Sequence, residues 1–576
     1  MSRVLGKDVS LEVSIKRMSQ LLVDNGFVVE QFDWLNPAPY VWSVQLRDVS
    51  CKGLSVKGRG ITKQAALASA LGAFIEHLGC NYFFARSYLG KQGADSSFIY
   101  YPNERWFSVD SDNIPAGLLD EATLSHYNMD DNLKAHMLLD FNSDDVSRGV
   151  CWLPFVHQKT AREVWFPVKI IDTLYVGNGS AAGNNKFEAR VHALSEIFER
   201  HIKNTILSSG ISLPRIPPVV VEWYPDAVAI INLLRELGYI VYVLDASLGG
   251  KFPLVGMTIF DPEDGGCFAA FGAHPKFEIA LLRVASKVMQ RVTLDPDKAF
   301  PEPVFDLQKV ADQGNLEAHS FYSNGVISWD LLSTDSDYAF TEWNVDGDSE
   351  AEFEHLCHLI HRVDMDIYIA DYEYLGLYVC RVIVPGMSDV YPVDRLVVSN
   401  DSAMVELRSV VFDLNAASDG ELSSLLNLIE DGAFGEADNV AALLGVFPDK
   451  KSYFNELSVA ELKCLICLKL GRLVMAAKAC HSIKRLSNHN SIKLFRCLSQ
   501  LLALNEQHEI QLDEVKMIFI DVYGEAVFSR CQAMLAGLRV FEDLHVIDDD
   551  VQCFKSHSAM LAVYSRLKRL KSAKSL

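Results

Sequence analysis

The chain has 576 residues, of which 49% are hydrophobic and 22% charged, and its formal net charge at pH 7 is −22. The length indicates at least two domains, and the composition is that of a globular rather than a disordered protein. The negative charge argues against direct, broad nucleic-acid binding, and the lack of a signal-like or uninterrupted apolar segment argues against secretion and membrane spanning, so we expect a cytoplasmic protein.

The N-terminal part alternates between helical and strand patterns. Apolar residues at helical spacing predict an amphipathic helix over residues 8–23, with Lys7 and Ser14 one heptad apart. Residues 42–46 alternate as in a strand, and a glycine-containing break at 58–60 precedes a predicted helix over 62–78. This succession is typical of a mixed α/β domain.

The pattern continues to about residue 400. Residues 165–176 are strand-like, and a glycine-rich turn over 177–184 precedes a predicted helix over 187–207. Further strands are predicted at 239–244, 254–260, 365–370 and 377–385, with a third helix at 277–292.

Beyond residue 413 the strand patterns disappear. Leu- and Ala-rich segments at 422–428, 459–470, 473–483, 492–504 and 533–541 predict paired helices, which stack as a TPR-like solenoid in many proteins. We therefore predict an α/β (α+β) domain over residues 1–405 and an all-α, TPR-like domain over residues 406–576. The helical domain is either a partner-docking surface or a cap on the larger domain, and its basic end, residues 566–574, is expected to be solvated.

One face of the second helix carries the most informative side chains. Glu188, His192, Glu196 and Glu199 lie within roughly 80° of each other at helical spacing. Two carboxylates about 6 Å apart repel by roughly 3 kcal/mol at an effective dielectric of about 20. An inward-facing arrangement therefore needs a cation, for which Mg²⁺ is suited, whereas an outward-facing arrangement is an ordinary solvated surface.

The other two helices contribute weaker signals. Ser69 and Glu76 share a face of the first helix, and Arg283 on the third helix is a donor that suits phosphate. The sequence contains no Walker-type phosphate loop, although the turn at 177–184 could present backbone N–H groups to an anion.

The sequence resembles the YcaO family from Lys7 to about residue 400. Five segments carry the resemblance, namely 60–72, 178–184, 188–200, 271–275 and 381–389. It implies an ATP-binding fold in which carboxylates from two helices hold Mg²⁺ near the triphosphate. Many family members use ATP to phosphorylate the oxygen of a peptide amide, which is phosphoryl transfer.

Carried over by motif, two sets of residues resemble the family's site. Those resembling its metal ligands are Glu76, Glu196 and Glu199. Those resembling its nucleotide contacts are Lys7, Ser14, Ser69, Asn184, Glu188, Arg200 and Arg283. Ala73 and Lys287 stand where the family usually has carboxylates, which leaves the number of metal ions and the turnover of ATP open.

The resemblance also implies a biological role. The helical end resembles that of a member that assists β-methylthiolation of ribosomal protein S12, so S12 and its methylthiotransferase are the expected partners, and a homodimer is the expected assembly. The alternative is a catalytically weakened, nucleotide-binding scaffold that docks a partner through its helical domain. Peptide heterocyclisation is not expected, because the end of this sequence, residues 572–576, lacks the prolines common in azoline-forming members.

Overall fold

The structure is a computed structural model that describes residues 6–90, 96–109, 112–139, 142, 146–294, 299–322, 324–398, 403–431, 434–486, 492–506, 511–548 and 551–573. Its strands are β1 Val29–Ala38, β2 Val41–Asp48, β3 Ser55–Gly60, β4 Arg105–Phe107, β5 Val150–His157, β6 Glu163–Pro167, β7 Ser180–Gly183, β8 Ile240–Asp245, β9 Leu254–Phe260, β10 Cys267–Ala273, β11 Tyr368–Tyr372 and β12 Tyr378–Ile383.

Helices of seven or more residues are α1 Leu11–Asp24, α2 Lys63–Gly79, α3 Glu121–Tyr127, α4 Lys186–Ser209, α5 Pro225–Glu236, α6 Phe277–Leu294, α7 Ser349–His361, α8 Ala403–Phe412, α9 Asp419–Asp431, α10 Val459–Lys469, α11 Leu473–Leu486, α12 Ile492–Glu506, α13 Leu512–Tyr523, α14 Glu525–Leu535 and α15 Lys555–Ala573. Shorter helices are Val168–Ile170, Pro218–Val221, Leu307–Ala311, Gln313–Glu317, Arg395–Val398 and Val440–Leu443.

The described strands form three antiparallel sheets. Two have three strands, in the orders β1-β2-β3 and β10-β9-β8. The third has the order β4-β5-β11-β12-β7, with β6 paired to β5. Helices α2, α4 and α6 pack against these sheets, which gives the mixed architecture of strands and helices expected for the first domain.

Helix α4 starts directly after β7, and local chemistry fixes that junction. The Asn185 side chain caps α4 by accepting a hydrogen bond from the Glu188 backbone N–H at 2.9 Å. Gly183 lies so close to α4 that an added Cβ would be 2.5 Å from the Ala189 nitrogen, so a larger residue would push the strand and the helix apart. The first turn of α4 is thereby held beside the sheet.

Three parts of the predicted pattern are corrected. The strand predicted at 165–176 ends at Pro167 and continues as helical turns, because a run buried on all sides lacks the periodicity that separates strand from helix. The turn predicted at 177–184 contains β7, which pairs with β12. The helix predicted at 533–541 instead covers Glu525–Leu535, and Gly537, with a φ of 70°, lies just beyond its end.

The region after residue 403 is helical in its described parts, as expected. One hydrophobic core contains side chains from α9, α10, α11, α12 and α14. It includes Leu426, Leu465, Phe495 and Phe528. TPR-like character remains a prediction. None of the described helices has the length and apolarity needed to cross a bilayer.

The last described helix, α15, packs into the core of the first domain. Met560, Val563, Tyr564 and Leu567 are buried in the same cluster as the β2 and α2 side chains. The Arg566 side chain also reaches the N-terminal region, where it donates to the Gly26 carbonyl at 2.6 Å. Helix α15 therefore ties the end of the chain to the α/β part.

The expectation of a solvated basic end is wrong for Lys571, which is 1% exposed. Its ammonium donates to Asn81 Oδ1 at 2.8 Å and to the Tyr100 carbonyl at 3.2 Å, and lies 4.0 Å from the centre of the Tyr101 ring. These partners offset part of the cost of burying the charge, although burial still lowers the pKa of Lys571 to about 7.

We predict that Leu567→Ala destabilises the first domain. Losing a fully buried leucine side chain costs about 2–5 kcal/mol of unfolding free energy. Denaturant unfolding followed by tryptophan fluorescence measures the effect, because all eight tryptophans precede residue 405. The control is Val474→Ala on α11, whose side chain is exposed. An unchanged fluorescence midpoint for Leu567→Ala would contradict the assigned packing of α15.

Candidate active site

The predicted face of α4 turns inward, and each of its carboxylates meets a cation. Glu188 is 4% exposed and its Oε1 lies 2.7 Å from Lys7 Nζ. Glu196 Oε1 accepts from Arg200 Nε at 3.1 Å. Lys287 Nζ contacts both oxygens of Glu199. Cationic side chains therefore supply the positive charge that these inward-facing carboxylates need.

The N-terminal end of this face belongs to a hydrogen-bonded network. Asn184 Nδ2 donates to both carboxylate oxygens of Glu188, at 3.0 and 3.1 Å. Ser14 Oγ on α1 donates to Asn184 Oδ1 at 3.0 Å. Four residues predicted as nucleotide contacts, Lys7, Ser14, Asn184 and Glu188, are therefore brought together.

The rest of the face lines a cavity of about 730 Å³. From α4 it receives His192, Glu196, Glu199, Arg200 and Lys203. Six cationic side chains line it, namely Arg59, Arg200, Lys203, Arg283, Lys287 and Arg291, beside the carboxylates of Glu196 and Glu199. A cavity with this excess of positive charge, in a chain whose net charge is −22, favours an anionic ligand.

Helix α6 supplies the opposite wall. Arg283 Nη1 donates to the Ala273 carbonyl of β10 at 2.8 Å, which fixes the guanidinium at the cavity surface. Burial lowers the pKa of Arg283, while Glu199 and Glu196 act against that shift. Burial, together with Arg283, Lys7 and Lys287, lowers the pKa of His192 well below its usual value. At neutral pH His192 is therefore an uncharged group between charged neighbours.

Glu76 on α2 lies near Glu196, but its side chain does not line the cavity. Its pKa is raised well above the usual value, first by burial and then by the negative charge of Glu196, while Arg381 opposes the shift. Two carboxylates from two helices thus lie close enough to repel each other. Carboxylate oxygens are donors that suit Mg²⁺, which commonly binds one or two of them together with substrate phosphates.

Two further residues of helix α2, Ser69 and Ala73, do not line the cavity. Ser69 is exposed, two turns before Glu76 on the same helix. Ala73, between them, packs against the hydrophobic core of the first domain. Ser69 remains a predicted nucleotide contact, and its side chain does not line the cavity.

Three cationic side chains at the cavity were missed from the sequence: Arg59, Lys203 and Arg291. Lys203 follows Glu199 by four residues, so helical spacing places it on the acidic face of α4 and could have revealed it. Its ammonium donates to the His319 carbonyl at 3.3 Å. No spacing rule connects Arg59 on β3 or Arg291 on α6 with α4.

The chain matches two family models. Residues 57–388 match the model of the YcaO cyclodehydratase, ATP- and Mg²⁺-binding, and residues 404–573 match that of the YcaO cyclodehydratase C-terminal domain. The chain belongs to the YcaO family. The family model that covers the cavity thus names the ligand types that its side chains suit, a nucleotide triphosphate and Mg²⁺.

Two curated relatives match nearly the whole chain. The ribosomal protein S12 methylthiotransferase accessory factor YcaO of Escherichia coli is 41% identical, over 99% of this chain and 98% of that protein. An uncharacterized protein of Haemophilus influenzae is 38% identical over the same shares. Among solved structures, YcaO from Methanopyrus kandleri bound with AMPPCP and Mg²⁺ is 17% identical over 66% of this chain and 92% of that chain. Its TM-score of 0.38 is too low to bear on the site.

We predict that Lys203→Met stabilises the protein at pH 7. Burial lowers the pKa of Lys203 to about 8 from an ordinary value of 10.5, so the folded state disfavours its charged form. The unfolded chain binds the extra proton between these two pKa values, and the parent's stability therefore rises with pH across that window. The advantage of Lys203→Met should shrink from pH 8 to pH 10.5.

Denaturant unfolding at several pH values measures this difference between variant and parent. The control is Lys57→Met, at an exposed position on β3. A Lys203→Met advantage that stays constant across the window, or is absent at pH 7, would show that burial does not penalise the Lys203 charge.

Proposed function

We propose that this YcaO-family chain binds ATP with Mg²⁺ in the α4 cavity and acts as an accessory factor for β-methylthiolation of ribosomal protein S12. The observation that carries the proposal is the excess of cationic side chains around the carboxylates of Glu196 and Glu199 in one cavity. The identity of 41% to the S12 methylthiotransferase accessory factor, over 99% of this chain, supports the biological role.

Each part of the site has a separate task in this proposal. Glu76 and Glu196 would hold Mg²⁺, and Arg200 and Arg283 would neutralise the phosphates. The network of Lys7, Ser14, Asn184 and Glu188 would contact the nucleotide at the N-terminal end of α4, together with Ser69 from α2.

The proposed chemistry is activation of a carbonyl or amide oxygen, for which ATP supplies the phosphoryl group when bound. The chain's own contribution is to position the reactants and to stabilise negative charge. Fixed guanidinium groups suit that task because they need little rearrangement as charge develops. Arg283, held by the Ala273 carbonyl, is such a group.

The proposed partners are ribosomal protein S12 and its methylthiotransferase, in the cytoplasm, with the chain acting as a homodimer. The helical region over residues 406–576 is the proposed docking surface. Because α15 is buried in the first domain, a partner bound near this helix would be mechanically coupled to the ATP-binding part.

A second candidate function is a nucleotide-binding scaffold with weak or no turnover. The contact of Lys287 with both oxygens of Glu199 favours it, because a carboxylate engaged in this way is less available to a catalytic metal ion. In this case nucleotide would regulate docking of the partner rather than drive a reaction.

We predict that Glu196→Gln weakens binding of a non-hydrolysable ATP analogue in the presence of Mg²⁺ by roughly 10- to 100-fold, the usual range for losing one contact to a charged group. Isothermal titration calorimetry measures the affinity. The control is Glu236→Gln, at an exposed position at the end of α5. Equal affinities of Glu196→Gln and the parent would contradict the assigned metal site.

The biological role is tested in cells that lack the native gene. We predict that the parent chain and Glu236→Gln support β-methylthiolation of S12, measured by mass spectrometry of the purified ribosomal protein, and that Glu196→Gln does not. S12 modification without any dependence on the introduced chain would refute the role. Modification that persists in Glu196→Gln would favour the scaffold.

A further inference from the structure

The ammonium of Lys287 is held entirely by oxygen atoms at the wall of the α4 cavity. Its Nζ contacts both carboxylate oxygens of Glu199 and also donates to the Phe271 carbonyl of β10 at 3.1 Å. An ammonium group has three N–H donors, and these three oxygens satisfy all of them. Lys287 thus occupies an oxygen site of the kind that otherwise suits a hard metal cation.

The two carboxylates that α4 brings to the cavity, Glu196 and Glu199, differ in how a cationic side chain contacts them. Arg200 contacts only the Oε1 oxygen of Glu196, whereas Lys287 from α6 contacts both oxygens of Glu199. Of these two carboxylates, Glu196 therefore keeps its Oε2 as an oxygen donor for a divalent cation. A metal ion at Glu199 would instead have to displace an ammonium that already contacts both oxygens.

Other cationic side chains at the cavity can also neutralise phosphate in the absence of metal ions. Arg200, Lys203 and Arg283 add three fixed cations to Lys287 on the walls formed by α4 and α6. A polyphosphate that entered would meet this positive charge before any metal ion was bound, so side chains can supply part of the neutralisation that metal ions give in more acidic sites.

We propose that Lys287 is a built-in counter-ion that takes the place of a metal ion at Glu199, so that nucleotide binds with Mg²⁺ at Glu76 and Glu196 alone. The proposal rests on the proposed ATP-binding function and makes Lys287 the residue that determines metal stoichiometry. Glu199 then serves as the anchor of Lys287 rather than as a metal ligand, in contrast to the role predicted for it from the sequence.

The experiment compares the parent with Lys287→Met and Lys287→Glu. Equilibrium dialysis with Mn²⁺ and a non-hydrolysable ATP analogue counts the metal ions bound per nucleotide, and calorimetry gives the nucleotide affinity with Mg²⁺ and with EDTA. Lys159→Met and Lys159→Glu are matched controls, because Lys159 is 44% exposed beside Asp366, as Lys287 is 42% exposed beside Glu199, and lies outside the cavity. Thermal unfolding of each variant confirms that it is folded.

The parent and both Lys159 variants are expected to bind about one Mn²⁺ per nucleotide, and Lys287→Glu about two, as its added carboxylate joins Glu199 in a second oxygen site. Chelation should weaken nucleotide binding by no more than ~10-fold in the parent and by ~100-fold or more in Lys287→Glu. In Lys287→Met, chelation should weaken nucleotide binding by an amount between these two, because the substitution releases Glu199 without adding a ligand.

Three results would overturn the proposal. A parent that already binds two Mn²⁺ per nucleotide, or Lys287 variants that match the Lys159 controls in both measurements, would overturn it while leaving the proposed ATP-binding function in place. Absence of nucleotide binding in the parent and all variants would overturn both.

Discussion

The site depends on one constraint, which is that an acidic helix face turned into the protein must be met by positive charge. On α4 the constraint is satisfied residue by residue, with Lys7 at Glu188, Arg200 at Glu196 and Lys287 at Glu199. Removing Lys7 would leave the buried carboxylate of Glu188 without its cation, which is destabilising, whereas solvent screens the more exposed pairs at Glu196 and Glu199. The pairs of Lys7 and Lys287 connect the N-terminal segment and α6 to α4.

That constraint also explains the character of the cavity. Glu196 and Glu199 already have partners, so the further cations Lys203, Arg283, Arg59 and Arg291 leave the cavity with a positive excess. A polyanion is the ligand that balances it. Burial and the charge of Glu196 raise the pKa of Glu76 on α2, so a cation bound beside Glu76 would favour its ionised form.

Sequence patterns predicted the parts of this arrangement that depend on local spacing. The face of α4 follows from a period of 3.6 residues, and the glycine-rich segment at 177–184 indicates where the helix begins. The partners could not be predicted in this way, since Lys287 lies 88 residues from Glu199 and chain folding alone brings them together. Strand β10 was missed because its Gly and Ala residues have low strand propensity, and pairing with β9 overrides that preference.

Long-range contacts that local sequence patterns do not indicate are also found in the last described helix, α15. A run of Lys and Arg on a helix is typical of a solvated surface, yet Lys571 is buried, because Asn81, Tyr100 and Tyr101 of the first domain surround its ammonium. The acceptors lie more than 450 residues away in the sequence, so no local pattern indicates them. Helix α15 belongs to the core of the α/β part by packing, although it follows the helical region in the sequence.

The central claim is that the α4 cavity holds a nucleotide polyphosphate and its metal ion. A crystal structure of the protein grown with Mg²⁺ and a non-hydrolysable ATP analogue tests it most directly. The account predicts phosphates against Arg200 and Arg283, with density for a metal ion between Glu76 and Glu196. An analogue bound elsewhere, or an empty cavity at saturating nucleotide, would contradict it.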